Sequence, residues 1–293
     1  MRENIAMHFV QAKGILSQNN GMNIYRGCSH GCIYCDSRSK CYGFTHAFED
    51  IEVKENAPEL LEQALRSKRH KCMIGTGAMC DPYLPAEKEL QLTRKCLKLI
   101  DRYEYGVTVL TKSNLVLRDL DLLQSIHKKT KAVVQMTLTT YDENLCRKLE
   151  PNVSTTRERF EVLTRCKELG IPTLVWMTPI LPFINDTREN IEGLLDYCLQ
   201  AGVQGILVFD VGVTLREGDR EYFYQALDRD FPGIRQKYVS TYGNAYDIPS
   251  PHTKELMALI QNTCTANGML CSPKECFTYL HEFPERYVQQ TLF

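Results

Sequence analysis

Short runs of β-type residues alternate with amphipathic helical stretches over the first two-thirds of the chain, and this alternation constrains the fold more than any other feature. The runs lie at 22–26, 71–75, 106–111, 132–138, 171–177 and 205–210. Between them, apolar residues recur at helical spacing over 58–70, 85–103, 118–129, 154–169 and 187–201. Punctuation agrees with the pattern. Pro58 and Pro85 stand where a first helical turn tolerates proline, Ser154 is an expected N-cap, and Gly170 and Gly202 suit C′ positions. Strands alternating with helices imply βαβ units, right-handed crossovers and a parallel sheet. Six strands are counted before the pattern changes near Gly212, after which 251–267 reads as a helix. No low-complexity linker marks a hinge, so the C-terminal part is expected to pack on the sheet.

The cysteines come next. There are 13 in 293 residues, an odd number and well below the roughly 8–10% of a disulfide scaffold. The first residues, MRENIAMHFVQAKG, lack the apolar core of a signal peptide, and the longest apolar runs are too short to span a bilayer. The expectation is a soluble protein of a reducing cytoplasm, with no membrane partner, in which clustered thiols are metal ligands or reactive groups. With 35 Lys+Arg against 36 Asp+Glu the net charge is −1, which argues against a protein that coats DNA electrostatically.

The loop after the first candidate strand reads Gly27-Cys28-Ser29-His30-Gly31-Cys32-Ile33-Tyr34-Cys35, a C-x3-C-x2-C spacing. Three thiolates within eight residues, with two glycines easing tight curvature, wrap around one compact centre. Soft thiolates suit the irons of a [4Fe–4S] cluster, and three cysteines on four irons leave one iron open for a bound molecule. The competing reading is a four-cysteine zinc module in which Cys41 joins Cys28, Cys32 and Cys35.

The thiol loop resembles the signature of the radical S-adenosylmethionine superfamily, C-x3-C-x-aromatic-C, with Tyr34 as the aromatic residue. Further stretches are similar to its spore photoproduct lyase-like branch: DPYLP at 81–85, TKS at 111–113, TLTTYDENLCRKLEP at 137–151 and PILPFIND at 179–186. The resemblance spans about residues 22 to 216. It implies a partial (β/α)6 TIM-like barrel as the radical SAM core over 22–216. An N-terminal extension would cover 1–21, and an α-rich C-terminal extension over 217–293 would pack on the core. It implies a lyase or another radical-based enzyme in which Cys28, Cys32 and Cys35 hold the cluster. The open iron would chelate S-adenosyl-L-methionine (SAM). Reductive cleavage would then give a 5′-deoxyadenosyl radical that takes hydrogen from a substrate. An electron donor such as a flavodoxin or ferredoxin is an implied partner. Damaged pyrimidine in DNA is the narrower substrate alternative.

The same resemblance assigns residues. Tyr34, the loop of Gly75, Thr76, Gly77 and Asp81, Lys112, Thr137 and the backbone near Met177 would contact SAM, with Lys112 meeting its carboxylate. Cys80 would return a hydrogen atom to a product radical. Simpler readings stand beside these: a solvated strand-end lysine for Lys112, ordinary β-branched strand residues for Thr137 and Thr139, and an inert buried thiol for Cys80. The photoproduct lyases carry a tyrosine soon after the last cluster cysteine, where this chain has Asp36. Cys264, Cys271 and Cys276 are spaced so that they could hold a second centre. The basic stretches at 66–71 and 128–131 end helices, where they complement the helix dipole.

Overall fold

The computed structural model describes residues 6–284; the tips of both expected extensions, 1–5 and 285–293, lie outside the described residues. Its centre is a six-stranded parallel sheet built from β2 (Gly21–Met22), β5 (Met73–Thr76), β6 (Gly106–Thr111), β7 (Ala132–Thr137), β8 (Thr173–Trp176) and β9 (Gly205–Leu207). The spatial order β2-β5-β6-β7-β8-β9 follows the chain order, and every neighbouring pair is parallel. Such sheets are covered on both faces, so their strands read as nearly continuous apolar runs. AVVQMT of β7 is buried at all six positions.

Helices return the chain between strands: α1 (Ala57–Ser67), α3 (Leu92–Arg102), α4 (Leu120–Lys129), α6 (Thr156–Glu168) and α7 (Arg188–Ala201). One face of each meets the outward face of the sheet. Leu97, Leu123, Leu163 and Leu194 share a core with Val107, Val134, Val175 and Ile206. Burying a side chain of this kind contributes about 1.5–3 kcal/mol. Gly202 closes α7 in the left-handed region at φ 62, as its position suggested.

Three details depart from the sequence reading. The first strand is not continuous. After Met22 pairs with Thr76, the chain leaves the barrel, and β3 (Tyr25–Arg26) pairs antiparallel with β4 (Ile51–Lys54). With β1 (Met7–Val10), these form a small second sheet in the order β1-β4-β3. The helix expected over 85–103 breaks at Gln91, which has φ 52, into α2 (Glu87–Leu90) and α3. The fully buried Glu87 causes this: its carboxylate accepts the backbone N–H of Thr93 (3.1 Å) and pairs with Arg118 (2.8 Å), satisfying a free donor in the first turn of α3. Thr155, not Ser154, caps α6 in a capping box with Glu158, while Ser154 Oγ accepts the N–H of Asn114 (2.8 Å).

The C-terminal part is α-rich and packs on the barrel. It contains β10 (Gly212–Thr214), α8 (Asp219–Asp230), α9 (Ile234–Tyr242), β11 (Asp247–Pro249), α10 (Thr253–Ala266) and α11 (Pro273–His281). α11 seals one end of the barrel: its Cys276 and Leu280 pack on the inward residues Val133, Leu174 and Leu207. Leu270 covers the exposed edge of β9, donating to Gln204 O (2.9 Å) and accepting from Ile206 N (2.8 Å). Among the described residues no helix is long and apolar enough to cross a membrane.

Candidate functional site

The thiol loop lies at the mouth formed by the C-terminal ends of β5 to β8. Its conformation is imposed from two sides. Gly27 has φ 86, and a Cβ there would stand 2.5 Å from the carbonyl oxygen of Phe48, the same oxygen that accepts Cys28 N–H (2.9 Å). From the other side, the segment after α5 (Glu143–Leu149) supports the loop. Ile33 N donates to Leu149 O (3.0 Å), Asn152 N to His30 O (3.1 Å), and the Asn152 amide to Ser29 O (3.0 Å).

Cys28, Cys32 and Cys35 line one cavity of about 240 Å³ together with Tyr34, Gly77, Cys80, Asp81, Lys112, Thr137, Trp176 and Thr178. The strand ends thus bring most of the sequence-assigned residues to one place. Gly75 and Thr76 lie deeper, on a neighbouring cavity of about 220 Å³ inside the barrel that shares Ala78, Leu110 and Trp176 with the first. Met177 itself points away. Its side chain is fully buried in the core behind the sheet, and its neighbours Trp176 and Thr178 face the cavity. Gly77 has φ 100, and a Cβ there would sit 1.9 Å from the carbonyl oxygen of Leu110, so only glycine lets the β5 exit close against β6.

Asp81 is a bracket. One carboxylate oxygen accepts Thr111 Oγ1 (2.7 Å) and Tyr83 N (2.8 Å), the other accepts Lys112 N (2.7 Å), and His30 Nδ1 stands 3.5 Å away. Burial pushes His30 below the usual imidazole range despite Asp81, which keeps it neutral. With these partners Asp81 fixes the loop against the end of β6 and orients the lysine beside it.

The Lys112 side chain reaches the cavity with its ammonium 6.0 Å from the centre of the Tyr34 ring. Among the described residues no group accepts a hydrogen bond from that ammonium. Burial would lower its pKa, but the groups that face it, Cys32 in its ionised form and the Glu150 carboxylate, outweigh burial and raise it, so the side chain is a cation.

Beneath it lies a network the sequence reading missed. Tyr34 OH donates to Glu150, and the fully buried guanidinium of Arg159 bonds the other oxygen of Glu150, the carbonyl of Thr137 (3.0 Å) and that of Ser154 (2.7 Å). Burial alone would raise the Glu150 carboxyl; Arg159 and then Lys112 outweigh it and hold it below the usual carboxylate range. One signal was present: Arg159 falls on the apolar stripe of α6 with Thr156, Val162, Leu163 and Cys166, where a charge needs a partner.

Burial raises the thiols: Cys28 to about 12, and Cys32 and Cys80 well above the usual range. Cys80 is buried and donates its S–H to Gly27 O (2.7 Å). Cys41 is exposed, bonds Arg216 (3.4 Å) and is absent from the cavity wall, so the fourth ligand of a zinc knuckle is missing. Among the described residues the thiols of 28, 32 and 35 are also not drawn within 4.8 Å of one another, as one ion would need, and neither are those of 264, 271 and 276. Asp36 accepts from Tyr42 OH (2.7 Å) and pairs with Arg216 (3.3 Å). The PILPFIND stretch is a brace: Asn185 donates to Thr139 O (2.8 Å) and accepts from Leu181 N (2.6 Å).

A six-stranded partial (β/α) barrel with three free cysteines, a buried cation and a cavity at the strands' C-terminal mouth defines an α/β enzyme of the kind that keeps its chemistry at that mouth. The chain belongs to the radical SAM superfamily, whose family model matches residues 22–198. A protein of Mycobacterium tuberculosis described as uncharacterized is 29% identical over 249 residues, covering 80% of this chain and 70% of the relative. Another, from Methanocaldococcus jannaschii, is 35% identical over 169 residues, 57% of this chain and 62% of the relative. Among solved structures, spore photoproduct lyase complexed with dinucleoside spore photoproduct has a similar fold, with a TM-score of 0.64 at 13% identity over 90% of this chain and 81% of that one. A double mutant of that lyase with bound AdoMet and dinucleoside spore photoproduct gives a TM-score of 0.59 at 14% identity, covering 86% of this chain and 75% of that chain. The chain is therefore a radical SAM enzyme, and the superfamily implies a [4Fe–4S] cluster and SAM.

The residues present fit both groups. The trio offers only soft donors, too spread for one ion yet turned to one cavity, and the Lys112 ammonium, which gives no hydrogen bond to any described group, lines the same cavity.

Proposed function

We propose that the chain is a cytoplasmic enzyme that cleaves SAM reductively and starts radical chemistry on a substrate held at the barrel mouth, with residues 22–216 as its catalytic core. One observation carries this reading: Cys28, Cys32, Cys35, Lys112 and Cys80 line the same cavity. The bound cluster would supply one electron, taken from a flavodoxin- or ferredoxin-like donor, and SAM a 5′-deoxyadenosyl radical.

The chain's own residues then have separate tasks. Cys28, Cys32 and Cys35 would hold the cluster as thiolates; metal binding offsets the burial that raises Cys28 and Cys32. Lys112 would pair with the SAM carboxylate, and Tyr34, fixed by Glu150, would wall that end of the cavity. Gly77 allows the β5 exit to approach the methionine part, with Gly75 and Thr76 forming the wall beneath and Asp81 holding the loop in place. Thr137 and the backbone on either side of Met177 would take the ribose and adenine. Cys80 suits a hydrogen donor because burial keeps it as S–H, the form that has a hydrogen atom to give.

Anaerobic reconstitution with iron and sulfide is expected to give a brown protein with about four irons per chain that releases 5′-deoxyadenosine from SAM under strong reductant. The variant with Cys28, Cys32 and Cys35 changed to Ala should do neither. Nucleoside release that survives this change would refute the reading. Damaged pyrimidine in DNA remains the narrower alternative, supported by the fold likeness and by Cys80. Lesion turnover abolished by Cys80→Ala would favour it, and failure to bind any oligonucleotide at low salt would exclude it.

A further inference from the structure

We propose that the small sheet carries a second metal site, a divalent zinc-type ion held by His8, His46 and Glu52. Parallel pairing of β1 with β4 sets His8 directly beside Glu52 in register. His46, on the stretch entering β4, packs edge-on against His8 with ring centroids 4.8 Å apart. One nitrogen of each imidazole and one oxygen of Glu52 all lie within 4.8 Å of one another. Among the described residues this is the one group of three or more histidine, cysteine or carboxylate ligand atoms that converges so closely.

The hydrogen bonds around the group prepare it for a cation. His46 Nδ1 is 2.9 Å from the carbonyl of Ala47, so it carries the proton and leaves Nε2 as a lone pair. That Nε2 is buried and has no partner. A buried acceptor without a donor loses its water and gains no partner in return, so its survival points to a ligand. His8 Nδ1 stands 3.1 Å from Asp50, which frees its own Nε2 in the same manner. A ligating histidine that gives its other N–H to a carboxylate or backbone carbonyl is the usual second layer of a metal site. Two imidazoles and one carboxylate favour zinc or a neighbouring first-row ion over magnesium or calcium, which take oxygen. His8 is part-exposed, so an ion can enter and water can complete a tetrahedral shell.

None of the three residues lines the SAM cavity, so the site is separate from the cluster and does not rest on the function proposed above. Its role is a clasp. It would join the N-terminal strand to the stretch leading to Phe48, whose carbonyl holds Cys28, and Phe44 ties His46 to Phe48 by edge-on ring contacts (5.5 and 5.2 Å).

The test uses the full chain with Cys28, Cys32 and Cys35 changed to Ala, stripped by chelator and titrated with Co2+ and then Zn2+. One equivalent of Co2+ should bind with the weak visible bands of nitrogen and oxygen ligands and no sulfur-to-metal charge transfer, and Zn2+ should displace it. His46→Gln and, separately, Glu52→Gln should weaken binding at least tenfold, and Asp50→Asn about 10–100-fold as for other second-layer partners. His70→Gln, at an exposed histidine that is not one of the converging group, should change nothing. Zinc should raise the thermal midpoint of the parent but not that of the His46→Gln chain, and the reconstituted wild type should retain one zinc beside its iron. A thiolate charge-transfer band, no stoichiometric binding at micromolar cobalt, or unchanged affinity in both His46→Gln and Glu52→Gln would overturn the proposal.

Discussion

Glu150→Gln should destabilise the protein far more than one surface charge can, and the structure sets the scale. Glu150 and Arg159 are 1% and 0% exposed, so neither charge is screened by water. Neutralising Glu150 leaves the Arg159 guanidinium and the Lys112 ammonium without their shared counter-charge. Breaking a buried pair from one side costs about 3–5 kcal/mol. Arg159→Met should cost a similar amount by stranding the carboxylate. The double variant leaves only Lys112 without its counter-charge, so its loss should fall short of the sum by about 2 kcal/mol or more. Urea unfolding followed by fluorescence of Trp176, the chain's single tryptophan and part of the cavity wall, measures all four proteins. The pH dependence has a fixed sign. The folded Glu150 carboxyl is held below its unfolded value of about 4.3, so its contribution is complete above that pH and fades as pH falls through the lower, folded value. The gap between parent and Glu150→Gln should therefore narrow below about pH 4. Single-variant losses under about 1 kcal/mol, or a double variant additive within about 0.5 kcal/mol, would refute the account of a desolvated, interdependent network.

Three further outcomes follow from the geometry. Lys112→Met should weaken SAM binding about tenfold or more, since a charge-assisted bond is worth about 1.5–3 kcal/mol, while leaving iron content unchanged; equilibrium dialysis with the reconstituted protein reads this. Gly77→Ala meets both a positive φ and the Leu110 carbonyl, so it should lose about 1–3 kcal/mol of stability and, with the β5 exit displaced, its SAM affinity. In the cluster-free chain, iodoacetamide at pH 8 should label exposed Cys41 first, whereas Cys80, Cys96 and Cys198, buried and raised, should lag by at least tenfold in peptide mass spectrometry.

Local patterns carried into the structure where one element answered to one environment. The strand expected at 106–111 has those bounds because both of its faces are buried, and the trio at 28, 32 and 35 was legible because its ligands are neighbours in sequence. Readings failed where a residue far along the chain decides the local form. The run at 22–26 splits because its second half pairs with β4, nearly thirty residues later. Gln91 turns left-handed because buried Glu87 bonds Thr93. The helix at 143–149 and the pairing of β1 with β4 carried no periodic signal long enough to be read. Glu150 stands in a stretch quoted for its resemblance, yet its task depends on Tyr34, 116 positions earlier.

The seal made by α11 sets an order for biosynthesis. Val133, Leu174 and Leu207 are inward residues whose cover includes Leu280, and the edge of β9 is bonded by Leu270. At about 5–20 residues per second, the ribosome needs roughly 4–15 s between Leu207 and Leu280. For that interval the nascent barrel presents an apolar lumen and a bare strand edge, the surface that holding chaperones bind. Ribosome stalling shortly after Leu207 would prolong that exposure, and release of the last helix would end it.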